Sequence, residues 1–168
     1  EAAVNAAAPA ERAAAPNESK EQAAAKAAEK PKGLNIARFL SLTEVRKITG
    51  KNTLQPGDRL VGQPPSQRYN SLYFTPADRT AFGLSFQFHK EETRRDANER
   101  FRRMRQQYPN AEDASAPTAK SFYSLWDDIL SLTFADLSKR VVITLSCSKE
   151  ICSPENLLDL AKLIQGKL

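Results

Sequence analysis

Two cysteines near the end of the chain are the residues whose chemistry is easiest to constrain. Cys147 and Cys152 lie five positions apart and could be free thiols, a disulfide or half of a metal site. A four-ligand zinc site cannot be assembled within one copy, because the single histidine, His89, is far away in sequence. The spacing does not fit a C-x-x-C redox centre. We therefore favour a structural disulfide, which predicts an oxidising compartment.

Catalysis would require a nucleophile, a base or metal ligands in a recognisable cluster, and the sequence shows no such cluster. It contains no G-x-S-x-G, no phosphate-binding glycine loop, no H-E-x-x-H and no acidic calcium loop. Asp127 and Asp128 follow Trp126, but adjacent strand residues point to opposite faces, so the pair predicts a turn. His89 ends a strand on its polar side, which predicts an ordinary surface histidine. We expect no catalytic residue, metal or cofactor, and a small hydrolase with a scattered site is the second alternative.

The basic residues favour an anionic partner, because the formal net charge is +5. They concentrate in a predicted helix, Glu91 to Tyr108, where three acidic-then-basic pairs at i,i+4 should neutralise part of the charge: Glu91 with Arg95, Asp96 with Arg100, and Glu99 with Arg103. Arg94, Arg102 and Arg105 lack such a partner and form a predicted cationic strip. Binding of nucleic acid or another polyanion through this helix is the first alternative function. Nucleic acid is disfavoured, because the aromatic residues are needed for the core.

The elements that position these residues alternate between strand and helix patterns. A capping box at Ser41 and Glu44 begins a short helix that ends at Gly50, and a second capped helix follows Ser153. Period-two alternation predicts strands at Tyr69–Phe74 and Phe82–Phe88, and three further strand candidates follow at Ser121–Trp126, Leu130–Phe134 and Lys139–Ser146. The fold class is therefore α+β: a five-stranded, largely antiparallel sheet covered by two main helices, in the order α-β-β-α-β-β-β-α.

The composition divides the chain into two parts. Residues 1–33 are rich in alanine, proline and lysine and predict a disordered tether, whereas residues 34–168 can form a single domain. The stretch from Lys51 to Gln67 predicts a long loop. Its Leu60 and Val61, together with the arginine strip, are the predicted binding surface.

Several features together resemble small exported lipoprotein domains of bacteria with a PsbP-like layout. They are the order of elements, the Phe-alternating strand before the F-x-x-M of Phe101 and Met104, and a closing strand and Cys before L-x-x-L-A-K-x-I at Leu157 to Ile164. The likeness spans Leu34 to Leu168. It implies a non-enzymatic binding or scaffolding domain of the periplasm or cell envelope, tethered through its N-terminal linker. The implied partner is another envelope protein or an anionic surface, with membrane attachment only through an anchor not visible in this chain.

Overall fold

The computed structural model describes residues 33–58 and 63–168. The predicted tether, residues 1–33, lies outside the described residues except for Gly33. The described residues form three helices and seven strands. The helices are α1 (Leu42–Thr49), α2 (Arg94–Gln106) and α3 (Pro154–Gly166). The strands are β1 (Leu54–Pro56), β2 (Tyr69–Pro76), β3 (Leu84–Lys90), β4 (Glu112–Ala114), β5 (Ser121–Trp126), β6 (Ile129–Asp136) and β7 (Val141–Ser148).

All seven strands belong to one sheet, in the order β1-β2-β3-β7-β6-β5-β4, and every neighbouring pair is antiparallel. The α+β class is confirmed, but the prediction of five strands and of the order α-β-β-α-β-β-β-α is wrong. The two additional strands, β1 and β4, have three residues each and form the two edges of the sheet. β1 lies in the stretch predicted as a loop, and β4 lies between predicted elements, since three residues are too few to show a period-two pattern.

The sheet buries both of its faces. Ile143 and Leu145 of β7 belong to the larger core with Val45 of α1 and Leu160 of α3, whereas the intervening residue Val142 joins a smaller core. Ala97 and Phe101 of α2 pack in that smaller core. Because side chains alternate across a strand, α1 and α3 cover one face and α2 covers part of the other.

The second face of the sheet carries small and polar residues, several of which are buried. Ser85 of β3 is 1% exposed and Thr133 of β6 is also 1% exposed. The Thr133 and Thr144 hydroxyls lie 3.0 Å apart across β6 and β7, so one hydroxyl donates to the other. This pairing compensates for part of the polar surface that folding removes from water.

The helix ends follow the capping signals of the sequence. Ser41 and Glu44 form the predicted capping box of α1, and Gly50 ends that helix at φ +69°, a left-handed conformation that glycine adopts without strain. At α3, Ser153 and Asn156 cap each other. The Asn156 side chain also donates from Nδ2 to the Ile48 carbonyl of α1 at 2.9 Å. This bond joins the two helices that cover the larger core.

The predicted disulfide between Cys147 and Cys152 is confirmed. The bond joins Cys147, the next-to-last residue of β7, to Cys152, the residue before the α3 N-cap. Both cysteines are buried, at 0% and 3% exposure. The strand-to-helix corner is thereby closed by a covalent link. Among the described residues, no helix combines the length and the apolar character needed to cross a membrane.

Candidate binding site

One arginine of the predicted strip, Arg105, has an ion-pair partner within the fold. Arg105 Nε donates to Asp113 Oδ1 at 2.8 Å, and its guanidinium carbon lies 5.8 Å from the Phe122 ring centroid. Arg94 and Arg102 are exposed, but eight positions separate them, which is about 12 Å along a helix. The carboxylate partner of Arg105 comes from β4, a strand that the sequence pattern does not reveal.

The i,i+4 ion pairs predicted to neutralise arginines along α2 are not formed. None of the three i,i+4 pairs is among the ion pairs that the described residues form. Arg100 instead donates from Nε to the Glu91 carboxylate, just before α2, and Asp96 accepts from the Thr93 hydroxyl at 2.7 Å. Glu91 and Asp96, which helical spacing pairs with Arg95 and Arg100, thus form other contacts before α2 and at its N-cap.

The stretch from Lys51 to Gln67 is not one continuous loop. It contains β1, and Leu54 of that strand is 0% exposed in the larger core. Leu60 and Val61, the apolar residues of the predicted binding surface, lie outside the described residues. Their role stays a prediction.

His89 is a core residue, and the prediction of a surface histidine is wrong. It is 7% exposed, and its ring centroid lies 4.7 Å from that of Tyr69. Burial, with a smaller contribution from the positive charge of Arg100, lowers the pKa of His89 to about 4. Because of this low pKa, His89 is neutral near pH 7. Among the described residues no carboxylate hydrogen-bonds to the imidazole, so His89 lacks the partner that orients a general base.

A pocket of about 590 Å³ lies at the end of the sheet where the β5–β6 hairpin meets the disulfide corner. Its apolar lining comes from Tyr123, Leu125, Leu130, Cys152 and Pro154. Its polar lining comes from Asn110, Glu112, Ser124, Lys149 and Ser153. We call this cavity the corner pocket.

The short edge strand β4 explains why the corner pocket is open. β4 pairs with β5 only from Ser121 to Tyr123, so Leu125 extends beyond it. Asn110 satisfies the Leu125 carbonyl by donating from Nδ2 at 3.2 Å. On the other side, Leu130 is in register with both Leu125 and Cys147, which places apolar side chains next to the disulfide. The pocket therefore lies between an incomplete sheet edge and a covalently fixed corner.

The segments around the corner pocket are acidic. We define the acidic rim as the exposed carboxylates of these segments, which are opposed by the single cation Lys149: Glu112, Asp127, Asp128, Glu150 and Glu155. Burial, followed by the charge of Glu155, raises the pKa of Tyr123, so its phenol stays protonated. A cationic ligand would gain electrostatic energy here, and an anionic one would lose it.

Trp126 stands beside the pocket at the tip of the hairpin. It is 73% exposed, and in the part of the chain that the structure describes it is the one large apolar side chain left open to solvent. Within β5 it follows Leu125, which lines the pocket, but its side chain lies on the opposite face of the strand, together with that of Ser124. Exposed tryptophans next to apolar cavities are typical of binding surfaces.

No protein-family model, no curated protein and no solved structure matches this chain. The resemblance to PsbP-like domains therefore stays a prediction. Within residues 33–58 and 63–168, no group of three or more His, Cys, Asp or Glu side chains could hold a metal ion. The function must be argued from the chemistry of the pocket.

The sequence interpretation missed the corner pocket. The sequence pattern assigns Leu125 and Leu130 to strands and Cys152 to a structural disulfide. The one available signal was Trp126 directly before two aspartates, because a large aromatic residue at a turn cannot be buried in the sheet. The remaining lining residues are separated by long stretches of chain and meet only in the fold.

Proposed function

We propose that this chain is a non-enzymatic binding or scaffolding domain of the bacterial cell envelope, and that the corner pocket receives its partner. The observation that carries the proposal is an apolar pocket with an acidic rim, lined in part by β5, the strand that ends at the exposed Trp126. The partner is another envelope protein. It presents an apolar side chain to the pocket and basic residues to the rim.

The pocket lining favours binding over catalysis. Its titratable groups are Glu112, Tyr123 and Lys149, and the raised pKa of Tyr123 disfavours a phenolate nucleophile. The Ser153 hydroxyl accepts from the Asn156 backbone N–H at 3.2 Å as the helix cap, so it is occupied structurally. Among the described lining residues there is no histidine that could activate Ser124. The arrangement suits recognition.

Two observations support the proposed compartment. The Cys147–Cys152 bond is typical of proteins in oxidising compartments such as the periplasm. The resemblance to small exported lipoprotein domains agrees with it, and the Ala/Pro/Lys-rich residues 1–33 would supply reach from an anchor. We infer export to the periplasm or envelope on these grounds.

Trp126 supplies a direct test, because it is the only tryptophan of the chain. We would titrate the protein with a short peptide that carries one phenylalanine between lysines and measure the emission of Trp126. Binding should shift and change the emission as solvent leaves the indole. A peptide with serine in place of the phenylalanine tests the apolar pocket, and a peptide with glutamates in place of the lysines tests the rim.

The matched variants are charge reversals at exposed positions. Glu112→Lys, in the rim, should weaken binding of the lysine peptide about tenfold, because one favourable charge contact becomes repulsive. Arg102→Glu, on the exposed side of α2, should leave its affinity unchanged. If the three peptides give the same response, or if Trp126 emission responds to none of them, the proposed ligand chemistry is wrong.

A further inference from the structure

The opposite end of the sheet carries a concentration of positive charge. We call it the basic end; its cations come from the end of β3, the start of α2, the residue before β5 and the β6–β7 turn: Lys90, Arg94, Arg95, Lys120, Lys139 and Arg140. The register brings these segments together, because Lys90 pairs with Val141 and the Ala135 N–H donates to the Lys120 carbonyl at 2.9 Å. The basic end is thus a product of the fold. Five of its residues were not selected as binding residues from the sequence: Lys90, Arg95, Lys120, Lys139 and Arg140.

A depression of about 570 Å³ lies within the basic end. It is lined by Arg94, Arg95, Asn98, Lys120 and Leu137, so no carboxylate belongs to its described lining. The two arginines and the lysine are exposed, and none of them forms an ion pair with a described residue. Asn98 Oδ1 is buried and has no hydrogen-bond partner among the described groups. The depression therefore combines a lining free of carboxylates with three cations that form no ion pair among the described residues.

The carboxylates near the basic end are already occupied. Glu91 accepts from Arg100, and Glu92 is paired with Arg68. Asp136 Oδ1 accepts from the Ser138 hydroxyl at 2.6 Å and from the Lys139 N–H at 3.1 Å. None of these carboxylates forms an ion pair with Arg94, Arg95 or Lys120.

The positions of Arg94 and Arg95 are unfavourable for the fold alone. They are the first two residues of α2, where the positive end of the helix dipole favours acidic side chains. Nearby, burial and then the charges of Arg140 and Lys139 lower the pKa of Lys90, which indicates that the cations repel one another. Charged residues that destabilise the folded state at their positions are expected where those residues contribute to binding.

We propose that this depression binds a phosphate group, carried either by a small phosphomonoester or by a lipid headgroup. The planar guanidinium groups of Arg94 and Arg95 can each make paired hydrogen bonds to phosphate oxygens, and Lys120 adds a third charge from a separate segment. Asn98 also lines the depression, where only its Nδ2 group could donate to a phosphate oxygen, because Oδ1 is an acceptor. This site is independent of the corner pocket, which lies at the opposite ends of the same strands.

Calorimetric titration of the full chain with inorganic phosphate and with glycerol phosphate tests the small-ligand source. Sedimentation with phosphatidylcholine vesicles, with and without phosphatidylglycerol, tests the lipid source. The site variants are the double substitution Arg94→Glu/Arg95→Glu and the single substitution Lys120→Glu. The control is Arg103→Glu/Lys162→Glu, which makes the same change of charge at exposed positions of α2 and α3 outside the depression.

We expect the double site variant to weaken phosphate or vesicle binding at least about tenfold, and Lys120→Glu to weaken it to a smaller degree. The control should retain most of the affinity. A loss of affinity for the small phosphates in calorimetry identifies a phosphomonoester as the ligand, and a loss of vesicle binding in sedimentation identifies a lipid headgroup. The inference is overturned if neither arm detects binding, or if the site and control variants lose affinity equally, since equal losses indicate net charge alone.

Unfolding measurements separate loss of the site from loss of the fold. Arg94→Glu/Arg95→Glu removes cations from the positive end of α2, so this variant should unfold at the same or a higher denaturant concentration than the natural chain. A variant that is equally stable and no longer binds phosphate supports the inference. Retained binding in that stable variant contradicts it.

Discussion

At the scale of single residues, His89 should make stability depend on pH. Burial holds the pKa of His89 at about 4 in the folded chain, below the ordinary value of 6.5. Between these values the unfolded chain binds a proton that the folded chain does not, so the free energy of unfolding falls as the pH is lowered from about 6.5 towards 4. The loss should reach about 3 kcal/mol. Urea unfolding at a series of pH values measures it.

The matched variant for this prediction is His89→Gln, with His89→Phe as a second neutral replacement. Because His89 is the only histidine, either variant should flatten the dependence between pH 6.5 and 4.5, whatever its absolute stability. Carboxylates whose pKa values are lowered, such as Glu44 beside Lys167, contribute stability that is lost only at lower pH. An unchanged slope in both variants would show that His89 is not buried as described.

Gly83 is a second residue whose role is steric. A Cβ atom at this position would lie 1.8 Å from the Phe74 carbonyl oxygen, and the Gly83 N–H donates to the Tyr73 hydroxyl at 2.9 Å. Gly83→Ala should therefore lower the free energy of unfolding by roughly 2 kcal/mol or more, since backbone must move. Gly166→Ala is the control, because nothing lies within 4 Å of the added atom. Equal stability of the two variants in urea would contradict this close approach.

At the scale of elements, the sequence predicted those that carry a period or a cap. The strand over Ser121–Trp126 matches its predicted bounds, and the Ser41 and Ser153 caps begin helices as expected. The edge strands β1 and β4 were missed, because three residues form a strand only when a neighbour supplies the hydrogen bonds. The ion pair of Arg105 was therefore not predicted, because its partner Asp113 lies on β4.

The disulfide corner is the element whose removal should have the widest effect. Reduction of Cys147–Cys152 should lower the free energy of unfolding by about 2 kcal/mol, because the bond closes a small ring and constrains the unfolded chain modestly. Reduced natural protein keeps both sulfurs, so the comparison isolates the bond from the loss of side-chain volume. Since Cys152 and Ser153 line the corner pocket, the lysine–phenylalanine peptide should also bind more weakly after reduction.

The corresponding check is chemical. Alkylation of the folded, unreduced chain followed by mass measurement should label no cysteine, whereas both should be labelled after reduction. Two labelled thiols in the unreduced protein would contradict the bond and remove the main support for an oxidising compartment. A reduced protein with unchanged stability would show that the corner is fixed by packing alone.

At the scale of the whole molecule, the sheet separates charge between its two ends. Neither end could be predicted, because each is assembled from segments far apart in sequence: the corner pocket from residues between Asn110 and Pro154, and the depression from residues between Arg94 and Leu137. Sequence spacing reports which side chains share a helix or strand face. It does not report that β3 pairs with β7, which determines which strand ends meet.

The strand order itself predicts a pattern of protection across the molecule. β7 is hydrogen-bonded to β3 and β6 along its whole length, and its Ile143 and Leu145 are 0% exposed. The edge strands β1 and β4 have three paired residues each and one paired side. Amide hydrogens of β7 should therefore exchange only through global unfolding, whereas those of β1 and β4 should exchange faster through local opening. Hydrogen exchange followed by mass spectrometry measures both, and β7 amides that exchange as fast as those of β1 would contradict a central β7.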